Sequence, residues 1–203
     1  MKPTKQYIAD KALALFNEKG FVNVRLQHIA DAAFVSVGHL AYHFKNKDAI
    51  TELLYDELRT GQEQLLNEFR VVPLFEDINR YLAATFQLQS RYIFFYLDTL
   101  EIIRAYPEIK TKHNKHVQWQ LAQLQLMLDF NIARGSIVPL GPEQVKDTAW
   151  QMRSLMDSWR YIRRTEGDLP DNEAAFLQQV WSLLKPLFTD MGAREYRQMA
   201  IIE

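Results

Sequence analysis

Apolar residues recur at helical spacing along nearly the whole chain, and this pattern limits the folds open to the sequence. Strand-type alternation of apolar and polar residues is nearly absent. Seven glycines and seven prolines in 203 residues are few enough to allow long helices. The sequence therefore predicts an all-α protein.

Local signals place the individual helices. Gly20 is suited to end the first helix, and a short second helix is predicted over residues 26–33. Ser36 and Asn46 carry side chains that cap the third and fourth helices, and the fourth runs from about residue 47 to 69. Later helices are predicted at 74–104, 107–134, 142–165, 172–189 and 193–200.

The charge is distributed unevenly between two predicted parts of the chain. A three-helix head in residues 1–47 is joined through the fourth helix to a larger C-terminal helical bundle in residues 48–203. The first 47 residues contain seven Lys or Arg and three Asp or Glu, so they carry +4 while the remainder carries −5. A basic end on an acidic protein is typical of a nucleic-acid-binding segment.

Several kinds of chemistry are disfavoured by the sequence. The lack of cysteine excludes disulfides and thiol catalysis. No Ser-His-Asp ordering, phosphate-binding loop or dinucleotide fingerprint occurs, so no catalytic residue, cofactor or enzymatic activity is predicted. The most apolar short run, residues 92–97, is too short to span a bilayer, and the N-terminus lacks a signal-type apolar stretch. We expect a cytoplasmic protein without membrane contact.

Residues 26–45 have the features of a helix-turn-helix. Ala30 supplies the small residue where two helices approach closely, and Ile29 and Leu40 supply apolar contacts between them. Ser36 caps the second helix, whose N-terminal face is the part that enters the major groove. Three residues of that helix are expected to face outward: Val37, Gly38 and His39.

A wider ordered set of residues resembles the signature of the TetR family of transcriptional regulators. The set is Leu15-Phe16, Gly20-Phe21, Ile29-Ala30, Val35-Ser36-x-Gly38-x-Leu40 and Tyr42-His43-Phe44-Lys45-Asn46-Lys47. It covers roughly a quarter of the chain. The resemblance implies a homodimeric repressor that binds a pseudo-palindromic operator and is released by a small apolar or aromatic effector.

The resemblance also implies a division of the DNA contacts. The residues set against base edges or the nearby backbone are Gln27, Val37 and His39. The residues that hold phosphates are Ser36, Tyr42, His43 and Lys47, the last aided by the N-terminus of the fourth helix. Lys2 and Lys5 form a basic arm or are ordinary solvated terminal charges. The alternative for Tyr42 is a packed core aromatic.

Three positions depart from the family pattern. Phe34 stands in the turn where glycine is usual, so either the turn differs or Phe34 accepts a strained backbone while packing on the body. Arg25 replaces the usual capping Ser or Thr and is expected to reach a phosphate instead. Ala41 replaces a tyrosine, whose contact Tyr42 is expected to take over.

The C-terminal part is rich in aromatic residues, which form either a plain core or the walls of an effector cavity. A cavity of at least about 300 Å³ is expected between the helices starting near residues 74, 107 and 142. Its candidate polar anchors are Arg91, Asp98, Gln120, Gln123 and Arg153.

Two apolar stripes, at residues 145–162 and 176–188, suit an intersubunit four-helix bundle made by the helices near 142–165 and 172–189. The alternative is that both stripes face the core of their own subunit. The histidine pairs 39/43 and 113/116 have metal-ligand spacing but lack further ligands, so no metal site is predicted.

The predicted function is a sequence-specific DNA-binding repressor controlled by an effector. Three alternatives stay open. One is a constitutive DNA binder without an effector, and another is a helical protein-interaction module with a degenerate helix-turn-helix. The third is a helical enzyme, for which no site is nominated.

Overall fold

The computed structural model describes residues 4–69, 71–167 and 171–202 of the protein, and the side chains up to residue 199. These residues form ten α-helices and one 3₁₀ turn and contain no β-strand, which confirms the all-α prediction. The helices are α1 (Lys5–Lys19), α2 (Leu26–Ala32), α3 (Val37–His43), α4 (Lys47–Phe69), α5 (Phe75–Arg91), α6 (Ile93–Ala105), α7 (Pro107–Ala133), α8 (Pro142–Thr165), α9 (Glu173–Leu184) and α10 (Asp190–Ile202). The 3₁₀ turn is Lys185–Leu187.

The helix ends near the N-terminus follow the capping signals of the sequence. Gly20 ends α1 with φ 79°, a left-handed conformation that glycine adopts without steric cost. Ser36 Oγ accepts the His39 N–H at 3.1 Å and caps α3. Asn46 Oδ1 accepts the Ala49 N–H at 3.0 Å at the start of α4. The predicted caps are confirmed.

The single helix predicted over residues 74–104 is wrong, because the chain breaks at Tyr92 into α5 and α6. Tyr92 has φ −115° and ψ 37°, outside the helical region. The side-chain amide of Asn17 bonds to both sides of this break: its Nδ2 donates to the Arg91 carbonyl at 2.8 Å, and its Oδ1 accepts the Phe94 N–H at 3.1 Å. The amide thus satisfies backbone groups that a continuous helix would have paired internally.

The described residues divide into two compact units. The head unit contains residues 4–61 together with Gln89–Asn114, and the body unit contains the other described residues. The unit boundaries fall inside α4, α5 and α7. The predicted division into residues 1–47 and 48–203 is a division by function, whereas these two units are defined by packing. The functional division stays a prediction.

Aromatic contacts hold the head unit together. Phe16 is fully buried, and its ring centroid lies 5.3 Å from those of both Phe21 and Phe94. Phe21 in turn packs edge-on against Tyr106 with centroids 5.9 Å apart. These contacts join α1 and the loop that follows it to α6 and its C-terminal end, so α6 contributes to the core that carries the helix-turn-helix.

The apolar stripes of α8 and α9 lie in the core of the body unit. Trp181 is 1% exposed, packs against Phe75 and Tyr196, and donates its Nε1–H to Asn79 Oδ1 at 2.8 Å. Other members of the two stripes are also buried in this core: Val145, Ala149, Met152, Met156, Trp159, Phe176, Leu177, Val180 and Leu184. These side chains face their own subunit, which was the alternative to an interface.

Candidate nucleic-acid interface

The helix-turn-helix is formed by α2, α3 and the turn between them. Ile29 and Ala30 of α2 and Leu40 of α3 are completely buried, and Ala33 at the end of α2 is nearly so. Because Ala30 has only a methyl group, the helices can approach closely at that point. This packing fixes the angle of α3 while Val37, Gly38 and Tyr42 stay exposed.

The turn between α2 and α3 is a Schellman motif built on a phenylalanine. The Phe34 N–H donates to the Asp31 carbonyl at 3.1 Å, and the Val35 N–H donates to the Ala30 carbonyl at 3.0 Å. This pattern needs a left-handed residue after the helix, and Phe34 has φ 56°. The conformation costs a non-glycine residue about 1–2 kcal/mol. Of the two alternatives for Phe34, the turn therefore has the left-handed backbone, but without the packing expected to accompany it, because the side chain is 88% exposed.

Most of the residues predicted to contact DNA are exposed on the head unit. Tyr42 is 85% exposed, which rules out the alternative of a packed core aromatic, and Val37 is 38% exposed. Four more predicted contact residues are exposed: Arg25, Gln27, Ser36 and Gly38. Three are only half-exposed: His39, His43 and Lys47. The arrangement places the N-terminal end of α3 and the start of α2 on accessible surface.

Some of these side chains already have partners. Gln27 Nε2 donates to Asp31 Oδ1 at 2.7 Å, so a base contact by Gln27 requires exchange of this bond. The Ser36 hydroxyl is occupied as the cap of α3. His39 and His43 lie with ring centroids 5.3 Å apart, and the His43 ring meets the Tyr42 ring edge-on at 5.2 Å. These three rings form one aromatic surface at the end of α3.

Lys47 points into the head unit. Its Nζ donates to the Phe21 carbonyl at 2.5 Å and lies 3.8 Å from the centroid of the Phe21 ring. Burial lowers the pKa of the Lys47 ammonium, an effect opposed by the negative charges of Asp98 and Asp48. Its predicted phosphate contact therefore competes with an existing internal bond.

Asp98, predicted as an effector anchor, bonds to the helix-turn-helix side of the head unit. Its Oδ2 accepts the Phe21 N–H at 2.7 Å. Asp98 has φ −110° and ψ 17° and forms a kink within α6. Asp98 and Lys47 thus bind the N–H and the carbonyl of the same residue in the loop between α1 and α2. Sequence reasoning missed this role, since no local signal connects Asp98 to Phe21.

The start of α2 is held by a residue that the sequence analysis did not single out. His28 Nδ1 accepts the Arg25 N–H at 3.2 Å, which is the role that a Glu or Gln takes in a capping box. The expectation that the Arg25 side chain does not cap α2 agrees with this arrangement. The guanidinium remains on the exposed surface. Of the two predicted arm residues, Lys2 is outside the described residues, and Lys5 Nζ lies 5.2 Å from the centroid of the Phe44 ring.

The five predicted effector anchors do not converge on one site. Arg91 is exposed, and Asp98 accepts a hydrogen bond from the Phe21 N–H. In the body unit, Arg153 Nε donates to Gln120 Oε1 at 3.4 Å, and Arg153 Nη2 pairs with Asp157 at 2.6 Å. The fifth anchor, Gln123, is buried.

A cavity of about 370 Å³ lies elsewhere in the body unit, at the start of α5 and along α10. It is lined by Leu74, Glu76, Asn79, Arg80, Glu195, Gln198 and Met199. None of the five anchors lines it, and it differs in place from the expected cavity between α5, α7 and α8. Within the part of the chain that the structure describes, no group of three or more metal-ligating side chains is found, and no helix is long and apolar enough to cross a membrane.

A buried small residue at the helix crossing and a capped, exposed second helix together define a helix-turn-helix DNA-binding protein. Comparison with known proteins agrees with this class. The family model described as "Bacterial regulatory proteins, tetR family" matches residues 8–54, and the model described as "Bacterial transcriptional repressor", named TetR, matches residues 57–196. The chain belongs to the TetR family and is a DNA-binding transcriptional repressor by that membership.

Similar proteins include regulators from several bacteria. The chain is 24% identical over 194 residues to the biofilm operon icaADBC negative transcriptional regulator IcaR of Staphylococcus aureus, covering 89% of this chain and 96% of that one. It is 40% identical over 63 residues to the probable transcriptional regulator YttP of Bacillus subtilis, a match that spans 31% of this chain and only 30% of YttP.

Solved structures show the same fold. A TetR-family regulator from Marinobacter aquaeolei superposes with a TM-score of 0.89 at 24% identity, covering 98% of both chains. The TetR-family regulator PfmR from Thermus thermophilus superposes with a TM-score of 0.73 at 19% identity, covering 88% of this chain and 97% of that one.

Proposed function

We propose that this repressor binds a pseudo-palindromic operator as a homodimer, with α3 of each protomer in the major groove. The observation that carries the proposal is the exposed face of α3, which is held rigidly by the buried residues Ile29, Ala30 and Leu40. In a helix-turn-helix the N-terminal residues of the second helix contact base edges, and dimers place two such helices one helical turn of DNA apart.

The proposed contacts follow the exposure of the side chains. Gln27, Val37 and His39 face base edges or the adjacent DNA backbone. Gly38 allows α3 to approach the DNA closely. Phosphates are held by Arg25, Ser36, Tyr42 and His43. For Lys47 the internal bond to the Phe21 carbonyl favours a structural role. We assign its phosphate contact to Lys45, which is exposed.

The proposed dimer uses the exposed faces of α8 and α9 rather than their buried stripes. Trp150 on α8 is 60% exposed, and Tyr161, eleven positions later on the same helix, is also exposed. Residues spaced by eleven return to nearly the same side of an α-helix. Large exposed aromatics on one helix face are typical of a surface that a partner covers. A second copy of the same helix supplies such a partner.

The proposed effector acts on the polar cluster of the body unit that contains Gln120, Arg153 and Asp157. Burial raises the pKa of the Asp157 carboxyl, and Arg153 opposes this. Burial also raises the pKa of the nearby Tyr81 hydroxyl to about 12. An apolar molecule with one polar group would exchange bonds with this cluster. To release DNA it must prefer the conformation that does not bind the operator.

A constitutive DNA binder is the second candidate. The observation that favours it is that three of the five predicted anchors, Asp98, Gln120 and Arg153, are already bonded, while the described cavity lies elsewhere. Melting of the protein in the presence of a library of small apolar and aromatic compounds separates the two candidates. A compound that raises the melting temperature and weakens operator binding supports the effector model, and a complete lack of such compounds supports the constitutive binder.

Selection of duplexes from a randomised pool by the purified protein tests the central proposal. We expect an inverted repeat whose half-sites lie about one helical turn apart. Gln27→Ala should then relax preference at one base-pair position, with about 1–3 kcal/mol of discrimination lost. Recovery of sequences without any common motif would contradict operator recognition, and recovery of a single half-site would contradict the dimer.

A further inference from the structure

Phe34 combines two features that both disfavour a phenylalanine in the free protein. Its backbone is in the left-handed region at φ 56°, where glycine is the residue that fits without strain. Its ring is 88% exposed, so the side chain gains little from burial within the chain. Glycine would satisfy the same two hydrogen bonds of the turn without either disadvantage. The ring therefore does not serve the stability of the fold.

The position of Phe34 points to what the ring contacts instead. It lies two residues before Ser36, the cap of α3, and precedes the exposed residues Val37 and Tyr42. In a helix-turn-helix the first helix crosses the sugar–phosphate backbone, and the N-terminal end of the second enters the major groove. The turn that joins them lies between these two contacts, over the edge of the groove. Phe34, Val37 and Tyr42 thus place three apolar or aromatic side chains along the surface that meets DNA.

We propose that Phe34 reads the operator directly, with its ring packed against the C5-methyl group of a thymine next to the base pairs that face Val37. This inference rests on the proposed seating of α3 in the major groove. A phenyl ring has no hydrogen-bonding group, so a base edge offers it one apolar feature, the thymine methyl group. The position of that methyl group in the major groove distinguishes a T·A pair from every other pair. Phe34 is then a specificity-determining residue in a position where the fold alone favours glycine.

The first arm of the test separates stability from DNA binding. Phe34→Gly should raise the melting temperature by about 2–4 °C, because relief of the left-handed strain outweighs the backbone entropy that glycine adds to the unfolded chain. The same variant should bind the selected operator about fivefold or more weakly, because an apolar contact is lost. Phe34→Tyr keeps the ring and should bind within about twofold of the parent. Val71→Gly removes another highly exposed apolar side chain, from the loop before α5, and should leave operator affinity unchanged.

The second arm identifies the atoms that the ring contacts. Each thymine of one half-site is replaced in turn by uracil, which removes only the methyl group, together with its symmetry-related thymine in the other half-site, because the dimer presents two copies of Phe34. One such replacement should weaken operator binding by the parent about as much as the Phe34→Gly substitution does. The same replacement should not weaken binding by the Phe34→Gly variant any further. If Phe34→Gly instead binds more weakly than the parent by the same factor on the thymine operator and on the uracil operator, the ring contacts sugar or phosphate. That result would overturn the assignment.

Failure of this inference is distinguishable from failure of the proposed function. A parent protein that selects no duplex sequence would overturn operator recognition itself. If the parent binds its operator and the Phe34→Gly variant binds it equally well, only the proposed role of Phe34 is overturned. Phe34→Asn, which also tolerates a left-handed backbone, should reproduce the affinity loss of Phe34→Gly.

Discussion

Asp98 and Phe21 are 77 positions apart in the chain, yet the Asp98 carboxylate accepts the Phe21 N–H at 2.7 Å. The bond connects the kink of α6 with the loop between α1 and α2 inside the head unit. Since Lys47 binds the carbonyl of the same residue, both backbone groups of Phe21 are held by side chains. The loop that precedes α2 is therefore held in part by a side chain of α6.

Removing the Asp98 carboxylate should loosen the helix-turn-helix. Asp98→Ala leaves a part-buried N–H without its charged acceptor, which costs about 1–3 kcal/mol. We expect faster hydrogen exchange at the Phe21 amide and weaker operator binding. Asp98→Asn keeps an acceptor oxygen without the charge. Its Phe21 exchange rate and its operator affinity should therefore lie between those of the parent and those of Asp98→Ala. Unchanged exchange at Phe21 in Asp98→Ala would contradict this account.

The break between α5 and α6 should depend on Asn17. Asn17→Ala removes two hydrogen bonds, to the Arg91 carbonyl and from the Phe94 N–H, and should lower the free energy of unfolding by about 1–3 kcal/mol. The matched control is Asn23→Ala, since Asn23 makes a single exposed bond to the Lys19 carbonyl and should cost about 0.5 kcal/mol or less. Urea denaturation of the two variants measures the difference, and equal costs would argue against the role of Asn17.

Two tryptophans should separate dimerisation from folding. Trp150→Glu places a charge on the exposed face of α8, and should give folded monomers because the carboxylate would lose water in the proposed interface. Trp181→Glu places it in the core of the body unit and should give unfolded or insoluble protein. Sedimentation and circular dichroism check these outcomes. A folded dimer of Trp150→Glu at micromolar concentration would move the interface away from this face.

Two lysines two positions apart should affect DNA binding by different routes. Lys45→Ala should reduce the salt slope of operator binding by about two, with no change in melting temperature, because each protomer of the dimer loses an exposed cation that neutralises one phosphate. Lys47→Ala should instead lower the melting temperature, because its ammonium binds the Phe21 carbonyl and lies over the Phe21 ring. A Lys47→Ala variant with parental stability and a reduced slope would restore the original phosphate assignment.

Tyr92 should make the protein sensitive to alkali. Burial and the negative charge of Glu57 raise the pKa of its hydroxyl to about 12, and the hydroxyl donates to Glu57 Oε2 at 3.1 Å. The pKa in the folded state lies above the unfolded value of about 10, so this stabilisation is complete below pH 10 and is lost as the pH rises towards 12. In Tyr92→Phe the free energy of unfolding should fall less steeply with pH in this range. In ultraviolet titration, Glu57→Gln should move the Tyr92 pKa down towards its ordinary value.

The elements whose causes are local could be predicted from the residues alone. Ser36 and Asn46 cap the helices that follow them because a short polar side chain reaches back to the N–H groups of its own first turn. The ordered motif from Leu15 to Lys47 determined the family, since its residues lie close together in the chain. Phe34 was identified as unusual because it stands where the TetR family pattern usually has glycine.

Features that depend on partners distant in the chain could be seen only in the packed helices. The break at Tyr92 has no proline or glycine to mark it, because the amide that pairs its free backbone groups belongs to Asn17. The orientation of Lys47 and the partner of Asp98 were likewise inaccessible, since both depend on where α6 packs against the loop at Phe21. The stripes of α8 and α9 have the same periodicity whether they face a core or a second subunit. The packing of Trp181 against Phe75 decided between these, because periodicity specifies a buried face and not what buries it.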